Sequence, residues 1–94
     1  MMAKQAFPDE PHIADTLGWV HYKRKSYSLA IPQFEVALNN RPDDPIISYH
    51  LALALADNGD KEKAVELLET ILGSNDTFAE KDAAAELLRA LKQG

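Results

Sequence analysis

The chain has 94 residues, no cysteine, and a formal net charge of −5. A chain of this length makes one compact unit; the absence of cysteine excludes disulfides and cysteine-held metals. The acidic balance excludes a nucleic-acid binder. No apolar run approaches the ~20 residues a membrane helix needs, so this segment is not expected to insert into a membrane. The start, MMAKQAFPDEP, lacks the apolar stretch of a secretory signal. Composition does not assign a compartment, and cytoplasmic and periplasmic placements stay open. Alanine and leucine dominate the apolar residues, which favours helix over sheet.

Sliding the sequence by 34 residues lays it on itself. Pro8 falls on Pro42, Pro11 on Pro45, Ile13 on Ile47 and Leu17 on Leu51. Gly18 meets Ala52, Ala30 meets Ala64, Ile31 meets Val65, Phe34 meets Leu68, Glu35 meets Glu69 and Leu38 meets Leu72. The matches run through the whole window, so a single shared helix does not explain them.

Each unit reads as two helices. The first pair is predicted at about 12–24 and 27–40, the second at about 46–58 and 61–72. Asp44-Pro45 is an N-cap followed by proline in the first turn, where its missing N–H does no harm. Glu10-Pro11 repeats that signal more weakly. Gly59 ends one helix and Asp60 caps the next, and Gly73 closes the fourth. Pro32 lies inside a predicted helix, where it removes one backbone bond. Lys23-Arg24-Lys25 reads as cations placed at a helix C-terminus.

A fifth helix is predicted at about 78–92, with Thr77 and Glu80 as a capping box. Ala83, Ala84, Leu87, Leu88 and Leu91 form its apolar stripe, with Glu80, Lys81, Glu86 and Arg89 mainly away from it. Glu86 falls where the repeats carry Gly18 and Ala52, and Asp76 where they carry proline. This helix is therefore not a third copy but a terminal cap, with one face buried and the other in water.

The pattern resembles the tetratricopeptide repeat (TPR), a helix-turn-helix unit of 34 residues with a leucine-small pair, later alanines and a closing proline. Leu17-Gly18, Tyr27, Ala30, Phe34, Ala37 and Pro42 carry the resemblance in the first unit; Pro45, Leu51-Ala52, Gly59, Ala64 and Leu68 carry it in the second. The chain departs from the pattern at Ala14 and Ser48, where an aromatic is usual, at His21 and Leu55, where tyrosine is common, and at Ile71, which replaces an alanine. The resemblance implies an all-α, right-handed α-α superhelix. It would comprise a remnant of a preceding repeat at 1–10, TPR units at 11–44 and 45–76, and a capping helix at 77–94. Ala3, Ala6 and Pro8 fit the last turn of a preceding unit. The chain thus reads as a C-terminal piece of a longer, bacterial TPR protein. Asp15–Val20 looks like segments of bacterial TPR proteins associated with exopolysaccharide export or surface-protein sorting.

In such units the small residue lets the two helices of a pair approach, which gives Gly18 its reason. The first helix of each pair lines a concave groove. The groove positions implied are His12, Asp15, Thr16, Trp19, Tyr22 and Lys23, then Ile46, Tyr49, His50, Leu53, Ala56 and Asp57. Trp19 with Tyr22 and Tyr49, beside Ile46 and Leu53, would make an apolar, aromatic peptide site, because tryptophan and tyrosine are enriched where binding energy concentrates. A groove tryptophan of this kind would be largely dispensable for stability. The implied function is a protein-interaction scaffold. The alternatives are a purely structural cap of a longer superhelix, or an accessory domain of a larger enzyme or export machine. TPR grooves that grip C-terminal carboxylates use Lys, Asn and Arg; Asp15, Trp19 and His50 stand here instead, so that recognition is not expected.

No cofactor, metal or catalytic residue is expected. His12 and His21 point to opposite sides of one helix at about 100° per residue, and His50 is alone on another. Asp43, Asp44, Asp60 and Asp76 are explained as helix starts, and Glu62, Glu66 and Glu69 as a solvated face. No glycine-rich phosphate loop is present. If a preceding helix once covered the outer face of the first helix, that face is open here and favours a dimer or other homo-oligomer.

Overall fold

The computed structural model describes residues 11–73 and 78–93, with side chains from Ile13 onward. It contains α1 (Pro11–Lys23), α2 (Tyr27–Asn40), α3 (Pro45–Asp57), α4 (Lys61–Gly73) and α5 (Lys81–Gln93). Four of the five helices begin within a residue of their predicted starts; α5 begins later than expected. Phe78–Glu80 form a turn in which the Lys81 amide donates to the Phe78 carbonyl. The expected remnant at 1–10, together with Asp76 and Thr77, lies outside the described residues. Each helix packs on its neighbour in sequence, and α1 also touches α3. The two units are therefore stacked hairpins, with α5 closing the end on α4.

The helix ends follow from local chemistry. Asp44 Oδ1 accepts from the amides of Ile46 and Ile47 at 2.9 and 3.2 Å, and Pro45 occupies the first helical turn of α3. At the end of α3, Gly59 takes φ +94°, its amide donates to the Ala56 carbonyl, and the Asp60 amide reaches back to Leu55 at 2.8 Å. This is the Schellman closure, which needs a residue in the left-handed region. The end of α1 makes the same closure, Lys25 to Tyr22 and Ser26 to His21 at 2.9 Å each. There the left-handed position falls to Lys25, at φ 63°. Its repeat counterpart is Gly59, so the first unit holds strain that the second avoids.

Pro32 does not interrupt α2, which runs unbroken through it. Both Pro32 and Ser28 are exposed, so the carbonyl that proline leaves without a helical donor can face water.

The core joins both units and the cap. Ala30, Phe34, Leu51, Ala52, Ala54, Leu55, Ala64, Leu68, Ile71 and Ala84 form one buried cluster. A smaller cluster joins Ala14, Ala37 and Ile47. Ala14 and Ser48, which stand where the repeat usually has an aromatic, are both buried, so those positions belong to the interior although the side chains are small. Gly18 behaves as the repeat implies: a Cβ built on it would lie 2.6 Å from Cε1 of Phe34, inside contact distance. Ala52 and Leu68 are the corresponding pair in the second unit, and both are fully buried.

The α5 stripe is set by Ala84, Leu87, Leu88 and Leu91, which pack on the core. Ala83, expected in that stripe, is exposed; it falls one position off the i, i+3, i+4, i+7 spacing that Ala84 begins. Glu80 and Lys81, expected to lie away from the stripe, are half-buried at the turn into the helix.

Candidate functional site

The contact between α1 and α3 assembles most of the predicted groove residues on one face. Stacking of the units sets the first helices side by side, and an offset of 35 residues, one more than the repeat, brings partners together twice. Near the start, Asp15 Oδ1 lies 2.9 Å from His50 Nδ1, both half-buried. Two turns further along, the Tyr22 hydroxyl donates to Asp57 Oδ2 at 2.8 Å. These two bonds pin the register of α1 against α3.

Between them lies Trp19. Its ring stacks on Tyr22, with centroids 5.1 Å apart at an interplanar angle of 21°. It also meets the His50 ring at 4.6 Å and 33°, and Lys23 Nζ sits 5.7 Å from its centroid. Trp19 is half-buried against the main core. Trp19 thus lies at the seam between the two units as well as on their shared surface. Tyr49 is held more loosely. It meets His50 at 6.2 Å and 42° and is also half-buried.

Burial pushes the Tyr22 phenol well above its ordinary value of 10.0, and the bond to Asp57, whose carboxylate opposes a phenolate, adds to this. Burial also raises Tyr49, and the Glu80 carboxylate pushes the same way. Glu80 therefore belongs to this surface. Among the described residues its buried Oε1 has no hydrogen-bond partner. Reading Glu80 as a solvent-facing or capping residue missed this; the 34-residue repeat lays Glu80 on Ile46, itself an implied groove position, and that was the available signal. Tyr27 was missed as well. It meets Tyr22 at 5.6 Å from the start of α2, extending the aromatic row.

Ile46 and Leu53 are half-buried on α3, and Ala56 likewise. Thr16 is exposed on α1. The His12 side chain lies outside the described residues. Among the described residues no group of three His or acidic side chains is placed to hold a metal ion, and no helix is long and apolar enough to cross a membrane. A cleft lined by Glu35, Leu51, Leu55, Lys63 and Leu67 lies away from the aromatic face. What the α1–α3 face offers is a set of partly exposed rings, two short apolar side chains and carboxylates already engaged with His50 and Tyr22.

A family profile described as Tetratricopeptide repeat matches residues 24–93. The chain belongs to the tetratricopeptide repeat family, in agreement with its stacked helical hairpins. A comparison with curated proteins found no match. Repeats of this family serve as protein-interaction scaffolds, and that general role is the one the all-helical architecture supports.

Proposed function

We propose that the chain binds an apolar or aromatic peptide segment of a protein partner along the face formed by α1 and α3, and that it carries no catalytic role of its own. The observation that supports this reading is the row Tyr22–Trp19–His50–Tyr49, rings in mutual contact across two units with Ile46 and Leu53 on the same helix as Tyr49. Rigid aromatic side chains give large contact area at low entropic cost. Because Asp15–His50 and Tyr22–Asp57 already fix the rings, little ordering remains for the partner to bring about.

Tyr49, rather than Trp19, is the residue on which binding should depend most cleanly, since Trp19 also joins the units. A display selection of random peptides on the immobilised chain tests this. Selected peptides should be rich in aromatic and branched apolar residues. Tyr49→Ala should weaken them by ~2 kcal/mol, roughly thirtyfold. Peptides that bind Tyr49→Ala and Leu53→Asp as tightly as the parent would contradict the reading.

A second reading is that this face is structural, joining the units in a longer superhelix. The engagement of Trp19 by Tyr22, His50 and Lys23 supports it. Under that reading the selection yields no peptide sensitive to the α1–α3 face.

A further inference from the structure

The aromatic row on the α1–α3 face already carries a cation of the chain's own. Lys23, the last residue of α1, is exposed, and its Nζ lies 5.7 Å from the centroid of the Trp19 ring. Among the described residues that ammonium pairs with no carboxylate. What draws it there is the negative face of a half-buried indole, the strongest of the aromatic side chains in attracting a cation. The same end of the row holds a carboxylate. Asp57 accepts from the Tyr22 hydroxyl through Oδ2 at 2.8 Å, and Tyr22 is the ring that stacks on Trp19. A phenol near neutral pH is an uncharged donor, so this bond orients the carboxylate without neutralising it. Asp15, at the other end, differs: it faces His50 Nδ1 at 2.9 Å. Asp57 is exposed and, among the described residues, belongs to no ion pair. One end of the row therefore combines a ring that accepts a cation with an oriented carboxylate that lacks one.

We propose that the bound peptide segment carries an arginine among its apolar residues, and that its guanidinium takes the place of Lys23 Nζ on Trp19 with Asp57 as counter-ion. This rests on the reading of the α1–α3 face as a peptide-binding surface and names the charge that surface selects. Arginine fits better than lysine, because a guanidinium is planar and weakly hydrated. It can lie on a ring while an N–H at its edge donates to a carboxylate. Lys23 gives way readily, since an exposed ammonium on a flexible stem exchanges the ring for water. An acidic segment finds no match here: its carboxylates would meet Asp57 on a chain of net charge −5.

Calorimetric titration of the full chain with a display-selected peptide tests the proposal, set against the same peptide with citrulline in place of arginine. Citrulline keeps the shape and loses the charge. The arginine peptide should bind about tenfold more tightly in dilute buffer. The gap should narrow in roughly 1 M salt, where charges are screened beyond about 3 Å. Asp57→Asn keeps an oxygen for the Tyr22 hydroxyl; it should bring the arginine peptide down to the citrulline level and leave the citrulline peptide unchanged. Lys23→Ala removes the competing cation and should tighten the arginine peptide by about twofold or more. Equal binding of the arginine and citrulline peptides to the unaltered chain would overturn the proposal. So would selected peptides that depend on Tyr49 and Leu53 yet contain no arginine. Either result leaves the α1–α3 face standing as a binding surface. A selection that yields no peptide sensitive to Tyr49→Ala or Leu53→Asp would overturn both readings together.

Discussion

Gly18 and Phe34 are shaped to each other: a methyl group on Gly18 would stand 2.6 Å from the Phe34 ring, and Phe34 is fully buried over that gap. The second unit solves the same contact with Ala52 and Leu68. The pairs are alternative fillings of one space, one residue small where the other is large. Gly18→Ala gains helix propensity but forces the ring aside, for a net loss of ~1–3 kcal/mol. Phe34→Leu leaves a void opposite glycine and loses ~1–2 kcal/mol. The double variant rebuilds the Ala52–Leu68 pair and should recover ~1–2 kcal/mol relative to the sum of the singles. Chemical denaturation of the four proteins checks this. Strict additivity would show that the two positions do not share the space. Gly18→Leu has no such remedy and should not fold stably.

Lys25 holds a left-handed backbone at φ 63° to close α1, where Gly59 does the same for α3 without a side chain. Lys25→Gly should therefore stabilise the chain, by ~0.5–1 kcal/mol, because glycine adopts that conformation without a steric penalty. Gly59→Lys should lose a comparable amount. A lower melting temperature for Lys25→Gly would mean that loss of the lysine, or added freedom in the unfolded chain, outweighs the relief of strain.

Trp19→Ala should cost ~2–3 kcal/mol of stability. That is below the ~3–5 kcal/mol of a fully buried aromatic, because the ring is only half-buried, yet well above a neutral surface change. Thermal and denaturant unfolding measure it, and a loss under ~0.5 kcal/mol would return Trp19 to the role of a free surface ring.

The Tyr22–Asp57 bond makes stability depend on alkaline pH. The folded chain raises the Tyr22 phenol above its unfolded value of 10.0, so the fold prefers the neutral form. The contribution is complete below the unfolded value and is lost as pH rises through it towards the folded one. Unfolding free energy should fall between about pH 9 and pH 12, less steeply in Tyr22→Phe than in the parent. Parallel pH profiles for the two proteins would show that Tyr22 ionises as freely folded as unfolded.

Much of this fold was legible because it is written twice. The 34-residue self-match, Asp44-Pro45 and Gly59 located the helices, and the leucine-small pair set Gly18 towards the second helix of its own unit, though not against Phe34 in particular. Lys25 was legible only in part: its repeat partner is glycine, but a lone lysine among cations reads as dipole compensation, and the backbone angle has no sequence signature. The aromatic residues of the candidate site could be listed from the repeat, whereas their engagement could not. The Asp15–His50 and Tyr22–Asp57 pairs follow a 35-residue offset that arises from how two stacked helices lie against each other, a tertiary property. The role of Glu80 in raising Tyr49 depends on the turn at Phe78–Glu80, where a helix had been expected.

The α1–α3 face as the binding surface is tested most directly by amide chemical-shift mapping of the isotope-labelled chain titrated with a display-selected peptide. The largest changes should fall on Trp19, Tyr22, Tyr49, His50 and Leu53, with the outer faces of α4 and α5 little affected. Changes concentrated instead on Ile13, Leu17 and Leu29, or on the cleft around Glu35 and Leu67, would contradict the account.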